Sequence, residues 1–138
     1  MRYLLDTNVI SELIKREPNQ NVVRWIDEHD ETYFYLSVIT LGELQKGINK
    51  LSDQHRADQL QNWLDQSLTR RFQGRLLDID VEVISTWGRL QGASEKKGVK
   101  LPVIDSLIAA TANTHNMIVV TRNVHDLELC QASVFNPW

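Results

Sequence analysis

Short apolar segments alternate with helix-like segments along the sequence, and this alternation restricts the fold more than any other feature. The apolar segments are rich in β-branched and aromatic residues, which is typical of buried strands. They cover residues 2–5, 33–38, 76–79 and 117–121, with a last short edge strand at 133–135. Apolar strands that alternate with helices predict a parallel sheet covered on both faces. We therefore expect an α/β fold with three layers, α/β/α, around a short, mostly parallel sheet.

The segments between the strands repeat apolar residues every three or four positions, which is the spacing of amphipathic helices. Two helix boundaries carry clear signals. Gly98 follows a basic last turn, as a helix C-cap does, and Pro102 opens the next helix, where its missing N–H is not needed. The predicted helices cover residues 9–14, 21–29, 41–51, 54–72 and 81–97 and a segment that begins at Pro102.

Length and composition indicate one folded domain over residues 1–138. Hydrophobic residues make up 42% and charged residues 24%, which is typical of a folded protein, and no linker or repeat divides the chain. No apolar run approaches the ~20 residues that cross a bilayer, and Asp6 comes too early for a signal peptide. We therefore expect a cytoplasmic protein without membrane contact.

Charge and cysteine content exclude several kinds of site. Cys130 is the only cysteine, so the chain can form neither an internal disulfide nor a Cys-rich zinc site. The net charge of −3 argues against a dedicated nucleic-acid binder, whose affinity depends on a basic surplus. A nuclease is compatible with this charge, because its own catalytic carboxylates contribute to it.

Four polar residues are candidates for one functional site: Asp6, Glu43, Asp105 and Asn123. Asp6 and Asn123 each follow a strand closely, and ligands of open parallel sheets bind beyond the carboxyl ends of the strands. Asp105 lies in an apolar helix, where an unpaired carboxylate costs several kcal/mol or must stay neutral. No Lys or Arg is close in sequence to Asp6 or Asp105, so a shared cation would solve the problem for both.

Each candidate also has a purely structural explanation. Asp6 could cap the first helix. Glu43 stands three residues after Thr40, which is the spacing of a capping box. Asp105 could interact with the dipole of its helix in the first turn, and Asn123 could be a turn residue.

The chemistry of the candidate ligands indicates which cation they would bind. All of them offer oxygen, and no Cys/His pair has the spacing of a zinc site. Oxygen ligands suit Mg²⁺ or Mn²⁺, which keep several waters and bind through one or two carboxylates. Such an ion favours hydrolytic phosphoryl transfer, because it polarises a phosphoryl oxygen and lowers the pKa of a bound water.

Four ordered segments resemble the motifs of PIN-domain ribonuclease toxins of the VapC/FitB type. They are LLDTNVISE at 4–12, LSVITLGEL at 36–44, DSLIAATA at 105–112 and VTRNVHD at 120–126. The ending VFNPW at 134–138 is similar to the FitB branch in particular. The resemblance covers essentially the whole chain, and four motifs in the same order make it specific.

The resemblance implies the toxin of a type II toxin–antitoxin pair with a three-layer PIN fold. Such toxins are homodimeric ribonucleases that cleave RNA, often tRNA, with Mg²⁺ or Mn²⁺. A small antitoxin silences them and also binds operator DNA. Carried onto this chain, the resemblance makes Asp6 and Asp105 the metal ligands, with Glu43 completing the acidic cluster directly or through water.

One position departs from the family pattern, because Asn123 stands where many relatives have Asp. An amide can still coordinate through its oxygen or orient a water, and Asp126 could partly compensate for the missing charge. The resemblance also implies that Thr7 and Thr121 hydrogen-bond the metal ligands and hold them in place.

Two other functions compete with the nuclease. A phosphatase with a nucleophilic Asp after the first strand needs a second Asp where this chain has Asn8. A non-catalytic regulatory or protein-binding module of α/β fold would act through its partners alone. A phosphate receiver of that kind would need an accepting Asp after a central strand, for which Asp78 and Asp80 are the candidates.

Overall fold

The computed structural model describes all 138 residues, and its centre is a sheet of five parallel strands. The strands are β1 (Tyr3–Leu5), β2 (Phe34–Ser37), β3 (Leu76–Leu77), β4 (Ile118–Val120) and β5 (Val134–Phe135). The helices are α1 (Thr7–Leu13), α2 (Gln20–Asp27), α3 (Val38–Asn49), α4 (Gln54–Trp63), α5 (Thr69–Arg71), α6 (Val81–Lys96), α7 (Val103–Thr114) and α8 (Val124–Leu129). A 3₁₀ turn (Glu31–Tyr33) precedes β2, and a π-helical segment (Leu64–Leu68) joins α4 to α5.

The spatial order of the strands, β3-β2-β1-β4-β5, places β1 at the centre of the sheet. The chain leaves β1 on one side for β2 and β3, and returns to its other side for β4 and β5. In open parallel sheets such a reversal of strand order opens a crevice at the carboxyl ends of the two strands concerned. The crevice between β1 and β4 is therefore where a ligand site is expected.

Both faces of the sheet are covered, which gives the three layers. Leu4 and Leu5 point to opposite faces of β1, and each is buried in a different hydrophobic cluster. The Leu5 cluster is completed by α1 to α4 and the π-helical segment, and the Leu4 cluster by α7 and α8. The predicted fold class is thus confirmed. No helix has the length and apolar character needed to span a membrane.

The predicted helix at 54–72 is interrupted by the π-helical segment. The Thr69 backbone N–H donates to the Leu64 carbonyl, and its hydroxyl donates to the same oxygen at 2.8 Å. Leu64, Leu68 and Phe72 recur every four residues and are all buried. In an ideal helix of 3.6 residues per turn, side chains spaced by four residues gradually rotate away from the core. The wider π turn keeps these three side chains on the core side.

The short helix α8 is the one α-helix that the sequence pattern does not predict. It has six residues, and only Leu127 among them is buried. A helix of this length is unstable alone and shows little periodicity, so its formation depends on packing against the rest of the fold. Pro102 also differs slightly from the prediction, because it is the N-cap of α7 rather than its first residue.

Candidate active site

Asp6 lies at the carboxyl end of β1 and is also the N-cap of α1. One carboxylate oxygen accepts from the Thr7 backbone N–H at 2.8 Å, and the other accepts from the Thr121 hydroxyl at 2.8 Å. The Asp6 backbone N–H donates to the Val120 carbonyl of β4 at 2.9 Å. Only 8% of Asp6 is exposed. The residue therefore caps the helix and also presents a buried carboxylate in the crevice between β1 and β4.

The Thr121 hydroxyl is held by three hydrogen bonds that fix its direction. It accepts from the Asn8 side-chain amide at 3.1 Å and from the Asn123 backbone N–H at 2.9 Å. A hydroxyl has one proton to donate. Because both other partners are donors, that proton goes to Asp6. The buried Thr121 thus links the loop after β4 to the carboxylate after β1.

Glu43 is tied to the same region through Thr7. The Thr7 hydroxyl donates to Glu43 Oε1 at 2.5 Å and lies 3.1 Å from the Thr40 hydroxyl. The capping-box interpretation of Glu43 is wrong, because α3 begins directly after β2 with Ser37 as its N-cap. The Ser37 hydroxyl accepts from the Ile39 N–H, so Thr40 lies inside the helix and caps nothing.

Asp105 stands in the first turn of α7 and is only loosely held. Its one side-chain hydrogen bond comes from the Asn123 amide at 3.4 Å, which is long. Asn123 is the N-cap of α8, but its side chain makes no capping bond. The amide is therefore available to Asp105. Asp126 lies on α8 and does not line the cavity, but its charge is close enough to raise the pKa of Asp105.

The carboxylates repel one another, and burial adds to the effect. Burial raises the pKa of Asp6 most, and the charge of Glu43 raises it further, while the bonds from Thr121 and Thr7 oppose both. The pKa of Asp105 is raised first by burial and then by the charges of Asp6, Asp126 and Glu43. A site with this excess of negative charge favours a positively charged ligand.

A cavity of about 440 Å³ unites these groups. It is lined by eleven residues: Asp6, Thr7, Asn8, Ser11, Glu12, Lys15, Glu43, Asp105, Arg122, Asn123 and Trp138. No three His, Cys, Asp or Glu side chains are grouped tightly enough to form a ready-made metal cluster. Two carboxylates completed by waters are nevertheless a usual Mg²⁺ site, and each Asp6 oxygen keeps a lone pair beyond its one hydrogen bond. The oxygen donors present therefore fit a hard divalent ion.

Comparison with protein families decides the classification, because a model of the PIN domain matches residues 3–128. The chain belongs to the PIN-domain family. The family resemblance noted from the four motifs is thus confirmed.

Several proteins similar to this PIN domain match it over almost its whole length. Toxin FitB of Neisseria gonorrhoeae is 37% identical over 98% of this chain and 97% of its own. The VapC ribonuclease Y4jK of Sinorhizobium fredii is 36% identical over 98% of this chain and 96% of its own. The crystal structure of FitAcB from Neisseria gonorrhoeae has a TM-score of 0.92 at 37% identity, covering 99% of this chain and 98% of that one.

The cavity of this PIN domain includes residues that the sequence reasoning did not select. Asn8, Ser11, Glu12 and Lys15 all lie on α1 or at its end, and their spacing of three and four places them on one helix face below Asp6. This spacing of polar residues in the sequence indicates a polar helix face next to Asp6. Arg122 and Trp138 lie in the quoted segments VTRNVHD and VFNPW, and they reach the cavity because β4 pairs with β1 and β5 pairs with β4.

Glu12 is the best-anchored acid of this α1 face. Its carboxylate accepts from Lys15 Nζ at 2.9 Å and from the Asn19 backbone N–H at 2.9 Å, and the residue is buried. These two bonds hold the pKa of Glu12 below its usual value, the Lys15 bond most strongly. Unlike Asp6 and Asp105, Glu12 already has its countercharge and needs no added cation.

Proposed function

We propose that this chain is the ribonuclease toxin of a type II toxin–antitoxin pair and hydrolyses RNA phosphodiester bonds with Mg²⁺ or Mn²⁺. The proposal rests on one observation above all. Asp6, Glu43 and Asp105 come from three separate elements and line one cavity, although their mutual repulsion and burial oppose this arrangement. Full-length similarity to toxin FitB and to a VapC ribonuclease supports the same activity.

Asp6 and Asp105 would hold the divalent ion, with Glu43 joining directly or through a water. When bound, such an ion polarises a phosphoryl oxygen, lowers the pKa of a water and stabilises the leaving oxygen. The raised pKa of both aspartates supports this assignment. Burial and repulsion between the carboxylates raise it, and a bound cation would offset both. The donor set contains carboxylate, hydroxyl and amide oxygens and no sulfur, which suits Mg²⁺ or Mn²⁺.

The chain's own residues orient these carboxylates. The Thr121 hydroxyl donates to one Asp6 oxygen and the Thr7 N–H to the other, which fixes this carboxylate where it lines the cavity. Thr7 holds Glu43 by Oε1 and leaves Oε2 free to orient a water. Asn123 contributes its amide to Asp105 without adding a further negative charge. Asp126 acts at longer range through its charge on Asp105.

We further propose a cognate antitoxin as partner, with operator DNA bound only through the antitoxin. Structures similar to this chain support this: FitAB is bound to an IR36 DNA fragment, and VapBC2 from Rickettsia felis is bound to a DNA fragment from the promoter. We expect a homodimer that acts in the cytoplasm, with residues 1–138 as one catalytic unit.

The activity is tested by incubating the purified chain with structured RNA and single-stranded oligoribonucleotides, with Mg²⁺, with Mn²⁺ and with EDTA. We expect cleavage that EDTA abolishes. Asp6→Asn and Asp105→Asn should each lower the rate by more than the roughly 10–100-fold that loss of an outer-shell partner costs. Asp58→Asn, a matched change at an exposed residue of α4, should leave the rate unchanged.

Two results would contradict the proposal. Wild-type rates from Asp105→Asn would show that the acidic cavity is not the active site. Absence of cleavage by the wild type with either ion, together with intact binding of the antitoxin, would favour the non-catalytic module instead. The phosphatase alternative needs a second Asp at the position of Asn8. The Asn8 side chain instead donates to the Thr121 hydroxyl and accepts from the Arg122 backbone N–H.

A further inference from the structure

The cavity wall near the β4–β5 edge of the sheet is formed by Arg122 and Trp138 rather than by acids. Trp138 is the only hydrophobic residue among the eleven that line the cavity. The Arg122 guanidinium carbon lies 5.7 Å from the centroid of the Trp138 ring, which is within the range of a cation–π contact. The carboxylates and this planar pair therefore share one space.

Arg122 is a cation without an acidic partner, although four acids line the same cavity. The ion pairs of the molecule involve Lys15, Arg71 and Arg75 instead. The Arg122 backbone N–H donates to Asn8 at 3.3 Å, which fixes the main chain while the side chain stays exposed. Its guanidinium donors and one of its planar faces are thus available to a ligand.

Trp138 is held in place from several sides. It packs against the larger hydrophobic cluster, and its backbone N–H donates to the Asn136 side chain at 2.9 Å. Its Nε1–H is buried beside Glu12 and helps to lower the pKa of that acid, although the two groups do not reach the geometry of a regular hydrogen bond. The indole is thus fixed by apolar packing on one side and by Glu12 on the other, while it also lines the cavity.

Arg122 is also joined to the acidic site through its neighbour in the chain. Thr121 donates to Asp6, and Arg122 follows it directly. A group that rests on the Arg122–Trp138 pair is consequently held in a fixed relation to Asp6, the carboxylate that holds the divalent ion in the proposed function. The cavity volume of about 440 Å³ lies in the range of small-molecule sites, so it can hold more than an ion and its waters.

We infer that Arg122 and Trp138 form a stacking platform for one unstacked nucleobase beside the scissile phosphate. The inference rests on the proposed ribonuclease function and adds the form of its substrate. Proteins recognise looped or single-stranded RNA by stacking exposed bases on aromatic rings and guanidinium planes. The base stacks on the guanidinium, which the indole supports. The preferred RNA therefore presents an unpaired nucleotide at the cleavage position, not a continuous duplex.

The test uses an oligoribonucleotide that the wild type cleaves, and two copies in which the nucleotide on either side of the cut is abasic. Loss of a stacked base typically costs about 10-fold, so one abasic copy should lower wild-type kcat/KM by about that factor. Trp138→Leu should lower kcat/KM about 10-fold on the normal RNA and have little effect on that abasic copy. Trp138→Phe, which keeps an aromatic plane, should retain most of the activity.

Arg122→Lys separates stacking from simple charge neutralisation. Lys keeps the positive charge but lacks the plane, so stacking predicts a loss similar to that of Trp138→Leu, again absent on the abasic RNA. Arg56→Lys, the same change at an exposed residue of α4, is the matched control. Full activity of Arg122→Lys would show a phosphate contact and overturn the platform.

The outcomes also separate this inference from the proposed function. If the wild type cleaves but Trp138→Leu loses as much activity on both abasic copies as on normal RNA, the platform is wrong and the ribonuclease stands. If the wild type cleaves no RNA with Mg²⁺ or Mn²⁺, the proposed function itself fails. Thermal melting of each variant identifies a loss that arises from unfolding.

Discussion

Replacement of Thr121 by Val tests how firmly the acidic site is built into the fold. Val has nearly the same shape, but it removes the hydroxyl that donates to Asp6 at 2.8 Å. A hydrogen bond to a charged group contributes about 1.5–3 kcal/mol, and more is lost when the acceptor stays buried. The Asn8 amide and the Asn123 N–H also lose their acceptor, but both are only partly buried and can turn to water. We expect a loss of about 2–3 kcal/mol in the free energy of unfolding at neutral pH.

The corresponding change in melting temperature follows from the size of the chain. At about 2.1 cal/mol/K per residue, unfolding of 138 residues has an entropy of roughly 0.29 kcal/mol/K. Thr121→Val should therefore lower Tm by about 7–10 °C in differential scanning calorimetry without divalent ions. It should also raise the pKa of Asp6 further, because the Thr121 bond is one of the two that lower it.

Thr111→Val is the matched control, because Thr111 is equally buried. Its hydroxyl donates at 2.8 Å to the Leu107 carbonyl one helical turn earlier, an acceptor that the α7 backbone can satisfy without it. The control should lower Tm by only about 2–3 °C. Equal shifts for the two variants would refute the claim that the Thr121–Asp6 bond is a special, charge-assisted contact.

Three further predictions concern Cys130 in the core and two residues that line the cavity, Glu12 and Asn123. Burial raises the pKa of the Cys130 thiol from 9.0 to about 11, so the fraction of thiolate at pH 8 is about 100-fold smaller than in the unfolded chain. Iodoacetamide should therefore modify the native chain far more slowly than the unfolded one, and equal rates would contradict this. The pKa of Glu12 is lowered in the folded state, so the stability that its carboxylate contributes is complete above the usual value of 4.5 and is lost as pH falls through the folded value. Glu12→Gln should therefore have a lower Tm than the wild type at pH 7. A difference in Tm that does not narrow towards pH 3 would contradict the anchoring by Lys15. Asn123→Asp adds a carboxylate beside Asp105, so the variant should have a lower Tm than the wild type in EDTA. Its Tm should rise more than that of the wild type when Mn²⁺ is added, and an equal rise would show that position 123 does not affect ion binding.

The three layers of this fold and two parts of the site could be predicted from the sequence. The apolar run before Asp6 predicts a buried strand that ends at the site, and β1 does so. The apolar surroundings of Asp105 indicate a carboxylate that needs a partner, and its pKa is raised mainly by burial. These signals are local, because strand and helix periodicity depend on neighbouring residues only.

The remaining parts of the site depend on contacts between distant residues. The Asn8–Thr121 bond joins residues 113 positions apart, and the Thr7–Glu43 bond joins residues 36 apart. Nothing in the neighbourhood of Glu43 distinguishes its contact with Thr7 from a capping box. Trp138 likewise reaches the cavity only through the strand order of the sheet. Such pairings follow from topology, which local propensity does not specify.

Asp6 and Asp105 are proposed to share a divalent ion, and Mn²⁺ titration followed by electron paramagnetic resonance tests this most directly. Free Mn²⁺ gives a sharp signal that disappears on binding, so affinity is measured without RNA or activity. We expect saturable binding to the wild type and to Asp58→Asn, and at least about 10-fold weaker binding to Asp6→Asn and to Asp105→Asn. Wild-type affinity in both site variants, or no saturable binding to the wild type, would contradict the account.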